Sequence, residues 1–259
     1  MIRRLYAAYN RRRKKPRSQL YRNLERAFTV LAVAYALLLL FPTSLFAHSV
    51  HVGQFDIYSD RPISPEIKDV VNTATAKLKR SPLYSPEDSF TVYIAHDNWR
   101  RRLLNPRSSR SFGIASIVTG NTVLNRSDIP LDLCYSDLET FNQRPLHSVI
   151  AHECVHHMMA AELGIIRYVQ LPDWKNEGYC EYIAGGSSFP LDRGSKLLRE
   201  GKRHPSHAFR YLTYQIAVRH HLESDGLTVK ELLASDVEFE TLLNSAVTEL
   251  GVTELGATR

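Results

Sequence analysis

Residues 146–164 read LHSVIAHECVHHMMAAELG, and residues 174–182 read WKNEGYCEY. The first stretch is apolar enough for a buried helix, yet it carries His147, His152, Glu153, His156, His157 and Glu162. So many polar groups are too costly for a lipid-exposed span, so the segment belongs to a water-facing domain. On a helix, His152 and His156 lie four apart and project from one face about a turn from each other. Two neutral imidazoles so placed can hold one Zn²⁺, with bonds of about 2.0–2.1 Å. Glu153 is rotated by roughly 100° from His152, near enough to reach a water at the metal without ligating the ion. A carboxylate there can take a proton from the water and pass it to a leaving amine.

A catalytic zinc site needs a third protein ligand and an open position. The HExxHxxGxxH pattern is absent, because Met159 stands where its Gly belongs and Glu162 where its third His belongs. Glu177 and Glu181, again four apart on one helical face, supply an alternative. Glu177 completes a set of two His and one Glu. Glu181, a turn further on, can accept the other ring N–H of a ligand histidine and so fix its tautomer. Between them, Gly178 lets the two helices pack closely beside the metal. Glu162 is the weaker candidate, since no second carboxylate supports it. Cys154, two residues from each histidine, faces away from the metal and reads as small apolar packing. Cys180 also sits inside a motif helix. With Cys134 these make three cysteines and no CxxC pair, which excludes a disulfide scaffold and a thiolate knuckle. His147 and His157 read as surface or core residues, His220 and His221 as a solvated helix face. Tyr58, Tyr84, Tyr93 and Trp99 read as core or rim packing.

Before this site the signals alternate. Residues 50–59 are strand-like, and 64–80 opens with SPEI, a serine cap with Pro at the first helical position. Residues 90–96 alternate as a strand, and 98–104 read as a short helix. Residues 112–118 and 122–125 flank Thr119-Gly120-Asn121, a hairpin turn. After 140 the pattern is helical throughout, at 142–163, 174–184, 190–201, 206–223, 227–234 and 237–250. Strands first and helices after predict an α+β body rather than a parallel doubly wound sheet.

The N-terminus is different. Of the 259 residues, 44% are apolar and 23% charged, and the formal charge is +6. Residues 1–26 hold ten Lys/Arg against Glu25 alone, or +9, so the other 233 sum to −3. Residues 27–47 are uncharged, and 21 helical residues span about 31 Å, one bilayer core. The expected organisation is a basic cytoplasmic arm at 1–26, a transmembrane signal-anchor at 27–47 contacting the bilayer, and an extracytoplasmic domain at 48–259. A cleaved signal peptide is the competitor, because Pro42 can stop the helix and leave only 27–41 apolar. Without aromatic interleaving or a nucleic-acid motif, the arm reads as topology and lipid attraction, and no nucleic-acid partner is expected.

HECVH followed by WKNEGYCEY resembles the gluzincin zinc metallopeptidases, most closely the compact minigluzincin or peptidase MA-like type. The resemblance covers roughly residues 50–251, with strong motifs and an N-terminal half that matches in outline. It implies a zincin-like domain, a small mixed sheet with helices followed by an all-helical half. It also implies one Zn²⁺ per chain held by His152, His156 and Glu177, with Glu153 as acid/base and Glu181 behind the ligands. The family's transition-state tyrosine falls on Tyr211 or Tyr214, in a helix followed by Gly226 and a last pair of short helices. Such domains present an edge strand to an extended peptide, here expected at 111–118. No GxMEN-like stretch precedes the site, which weakens recognition of a substrate N-terminus. The expected activity is that of a membrane-anchored zinc endopeptidase acting on peptides or proteins. The alternative is a zinc-binding pseudo-peptidase serving as a tethered binding or scaffolding module, against which the intact Glu153 argues.

Overall fold

The computed structural model describes residues 18–104 and 111–256, with side chains through residue 249. Most of the basic arm and the stretch 105–110 therefore lie outside the described residues. The chain divides into two units, residues 1–42 and 43–259.

In the first unit, α1 (Gln19–Leu40) starts at Ser18, whose Oγ accepts the Tyr21 N–H at 3.2 Å. Its 22 residues rise about 33 Å, and none is buried. It is long and apolar enough to cross a membrane, with a mean hydropathy of 1.5 over 18 residues. A signal sequence passes the same test. The helix bounds differ from the helix expected at 27–47. The helix begins eight residues earlier, and it stops before Phe41 because Pro42 supplies no N–H and disfavours helical backbone in its predecessor. Pro42–Leu45 is a short 3₁₀ turn.

The second unit is mixed α/β. A hairpin of β1 (His48–Val52) and β2 (Phe55–Ser59) replaces the single strand expected at 50–59. Gly53, at φ +59°, closes its turn inside a run whose alternation looks continuous. The chain crosses through α2 (Ile67–Leu78) to β3 (Phe90–Ile94), which lies parallel to β2. Ile67, Val70, Val71, Ala74 and Leu78 form the buried stripe of α2. Ser64 does not cap this helix: Pro65 and Glu66 make a preceding turn, and the Ile67 N–H donates to the Ser64 carbonyl. α3 (Asn98–Leu104) matches its expectation, as does the hairpin of β4 (Gly113–Ser116) and β5 (Asn121–Leu124) around Gly120. The sheet order is β1-β2-β3-β5-β4, which leaves β4 at an edge.

A second, three-stranded sheet of β6 (Ser127–Asp128), β7 (Leu133–Tyr135) and β8 (Gln143–Pro145) was not expected. Residues 142–145 are thus not helical, and α4 (Leu146–Leu163) starts after Pro145. Asp132 holds that start: its carbonyl accepts the Leu146 N–H at 2.9 Å and its carboxylate the His147 N–H at 3.0 Å. Six further helices follow: α5 (Ile165–Val169), α6 (Asp173–Ala184), α7 (Leu191–Arg199), α8 (His207–Glu223), α9 (Val229–Ala234) and α10 (Phe239–Gly256). The last runs past the short helix expected to end at 250. One core joins the sheet face to α2, α4, α6 and α8, through Ile57, Val92, Leu78, Ile150, Ile183 and Val218.

Candidate metal centre

α4 and α6 are antiparallel neighbours because Gly164, at φ +75°, ends α4 and Pro172 restarts the chain one short helix later. Two donors meet the last carbonyl of α6: Ser148 Oγ donates to Ala184 O at 3.0 Å and Lys77 Nζ at 2.6 Å. This anchoring sets α6 beside the histidine face of α4. His152 and His156 are buried, with ring centroids 5.0 Å apart and planes at 78°. Both turn Nε2 toward one atom, Glu177 Oε2, at 3.2 and 3.8 Å.

The opposite ring nitrogens are backed differently. His152 Nδ1 lies 3.4 Å from Glu181 Oε1 and makes no hydrogen bond to any described residue. His156 Nδ1 meets Asn176 Oδ1 at 2.9 Å, the Tyr168 hydroxyl at 3.0 Å and Cys180 Sγ at 3.3 Å. His152, His156 and Cys180 form a buried group that can hold a metal ion, their ligand atoms lying within 4.8 Å of one another. Cys180 stands on the Nδ1 side of His156, away from Glu177, and burial pushes its thiol up, as it does that of Cys154. All three cysteines are free.

Arg144, on β8, reaches Glu181. Its fork donates to both oxygens of Glu181, at 3.0 and 2.8 Å, and to Gly186 O at 2.8 Å. Glu153 packs against the edge strand: a Cβ on Gly113 would stand 3.0 Å from Glu153 Oε1 and 2.7 Å from Leu124 Cδ2. Burial raises the Glu153 pKa against the pull of His152 and His156. Burial also opposes ionisation of Glu177, but the His152 hydrogen bond and the charges of His156, His152 and Arg144 win and bring it down to about 2. Burial lowers the His152 pKa, but the carboxylates of Glu181, Glu177 and Glu153 outweigh that effect and raise it.

The two tyrosines separate. Tyr211 stacks along His152, with centroids 6.5 Å apart and planes at 15°, whereas Tyr214 meets Phe239 edge-on at 5.1 Å. Gly178 departs from its expectation. It does not ease α4 against α6; a Cβ there would lie 2.7 Å from the Tyr214 carbonyl oxygen, so it allows α8 to reach α6. Glu162 is remote from the site and pairs with Lys230 at 2.8 Å. His157 bonds Thr122 Oγ1 at 3.0 Å, and His147 bonds Asp132. His220 and His221 are not a solvated face. His221 is buried with Nδ1 3.1 Å from Asp225, and His220 Nδ1 is 2.7 Å from Glu249.

Sequence reasoning missed Arg144, Tyr168 and Asn176. Asn176 had a faint signal, sitting one residue before Glu177; Arg144 and Tyr168 had none. Compared with known proteins, no protein-family model matches this chain and no curated protein matches it.

Proposed function

We propose that this chain is a zinc-dependent peptidase of the gluzincin kind, held at a membrane by α1 with its second unit outside the cytoplasm. One observation carries the reading: the two Nε2 atoms of His152 and His156 face the same oxygen of Glu177, with Glu153 on the adjoining helical position. The charges agree with it. Glu153, Glu177 and Glu181 surround the histidines, and Arg144 is bonded to Glu181 alone among them, a carboxylate-rich setting that suits a divalent cation. Two imidazoles and one carboxylate would hold a zinc ion and leave it room for water, a donor set that suits catalytic zinc.

When bound, zinc supplies Lewis acidity to a scissile carbonyl and to water. The chain's own groups do the rest. Glu153, its pKa raised by burial, takes the proton of the attacking water and returns it to the leaving amine. Tyr211, kept protonated by burial, donates its hydroxyl to the developing oxyanion. Glu181 orients His152, and Asn176 and Tyr168 orient His156.

The peptide lies along β4. The Asn125 N–H donates to Phe112 O at 2.8 Å, and Gly113 pairs with Leu124. Antiparallel alternation then turns the N–H groups of Gly113 and Ala115 away from β5, where an extended substrate can add as a strand.

A second reading rests on Cys180. A metal taken by His152, His156 and Cys180 would suit a binding or scaffolding module in which Glu177 holds no metal. Cys180 Sγ lies 3.3 Å from His156 Nδ1, the nitrogen turned away from Glu177, so the first reading is preferred. Metal analysis of the purified chain tests both. About one zinc is expected per chain, lost in Glu177→Ala and kept in Glu162→Ala and Cys180→Ser. Loss in Cys180→Ser with retention in Glu177→Ala would favour the second reading. The topology has its own test: a reporter active only outside the cytoplasm, fused after Arg259, should give signal.

A further inference from the structure

We infer that Arg144 is a positioning residue for the metal centre, acting on His152 through Glu181; this rests on the reading of His152, His156 and Glu177 as ligands. Arg144 is 6% exposed and Glu181 fully buried. Its guanidinium takes one lone pair from each oxygen of Glu181, and this bidentate bond fixes the plane of the carboxylate. The plane so fixed holds Oε1 3.4 Å from His152 Nδ1, the nitrogen opposite the one that faces Glu177. The third bond, to Gly186 O, ties the turn after α6 to β8, and β8 runs through Pro145 directly into α4. One side chain thus joins the start of the helix bearing the histidines to the end of the helix bearing Glu177 and Glu181. The pairing of Arg144 with Cys134 across β7 and β8 anchors its own backbone.

Two consequences follow. The alignment needs a planar fork, so a lysine, with one rotatable point charge, cannot reproduce it. And because the effect on the metal passes through Glu181, it should vanish when Glu181 can no longer play its part.

The experiment uses the full-length chain in detergent micelles. Zn²⁺ affinity is measured by competition with a chromophoric chelator, and melting temperature is followed without metal. Arg144→Lys, Arg144→Gln and Glu181→Gln should each bind zinc about 10–100-fold more weakly than wild type. The Arg144→Gln/Glu181→Gln double variant should bind no more weakly than Glu181→Gln alone. Asp60→Asn, which alters a fully buried carboxylate away from the site, should lower the melting temperature but keep wild-type affinity. Affinity within twofold of wild type in Arg144→Lys, or a double variant that multiplies the two single losses, overturns the inference. Should Arg144→Gln fail to fold, Arg144→Lys decides against wild type and again in the Glu181→Gln background. Zinc retained in Glu177→Ala would overturn the ligand reading, whatever Arg144 does.

Discussion

His152 and His156 present the same nitrogen to Glu177 and are backed by opposite chemistry. Behind His152 stand a buried carboxylate and a guanidinium; behind His156 stand an amide, a phenol and a thiol. A charged partner raises the basicity of a ligand, and a neutral one mainly fixes its orientation. The front of the site is therefore nearly symmetric, while its back is not. His156 also has three partners sharing one nitrogen, so the loss of any one is cushioned by the others. His152 depends on Glu181 alone.

The largest effects should ignore this asymmetry. His152→Ala and His156→Ala should each remove most of the zinc, as measured by metal analysis, because a three-ligand site does not survive loss of a ligand. Retention in one of them would break the symmetry of the front. The next effect should expose the asymmetry. In chelator competition, Glu181→Gln should weaken zinc binding by about 10–100-fold and Asn176→Ala by about tenfold or less. Equal losses would mean that the two backings are equivalent.

A control away from the site concerns Asp60. Its side chain is fully buried; it accepts the backbone N–H groups of His96 and Asp97 and lies 2.7 Å from His96 Nδ1. Burial raises its pKa, but the Asp97 and His96 bonds together outweigh this and hold it below the ordinary carboxylate value. Its stabilising contribution is thus complete above the unfolded value of about 4 and is lost as pH falls through the lower folded value. Asp60→Asn should cost about 2–4 kcal/mol near neutral pH in denaturant unfolding, with the difference from wild type shrinking in acid, while zinc affinity stays unchanged. A difference that grows in acid would contradict the assignment.

The smallest effect is expected at β4. Ala115→Pro removes an N–H that points away from β5, so the Michaelis constant for peptides should rise severalfold with melting temperature and zinc near wild type. Unfolding of this variant would mean that the N–H serves the sheet and that substrate binds elsewhere.

The legible part of the site was the part fixed by a helix alone. His152, Glu153 and His156 follow from one four-residue step, and Glu177 and Glu181 from another, because helical geometry settles which residues share a face. Arg144 lies 37 residues from Glu181, in a strand of three residues, too short to carry a pattern. That Tyr211 rather than Tyr214 stacks along His152 likewise depends on how α8 lies across α6, which Gly178 sets and local spacing does not. His220 and His221 show the converse. As neighbours they diverge by about 100°, so their Nδ1 atoms meet different carboxylates, Glu249 and Asp225, while His220 Nε2 also comes within 3.7 Å of Asp225. In the fold, helices of α4 or α8 length were readable to within a few residues of their ends. The turn at Gly53 was hidden inside an alternating run, and the three short strands β6, β7 and β8 were too brief to register.

The central claim is that Glu153 is a base beside a metal rather than one more buried carboxylate. Glu153→Gln preserves the shape of the side chain and its packing against Gly113, so it tests the claim with the least disturbance. Peptide hydrolysis and zinc content should be measured on the same preparations of wild type and variant. The prediction is about one zinc in both and a fall in kcat of about 10²–10⁴-fold in Glu153→Gln. Equal turnover by the two proteins at equal zinc content would contradict it.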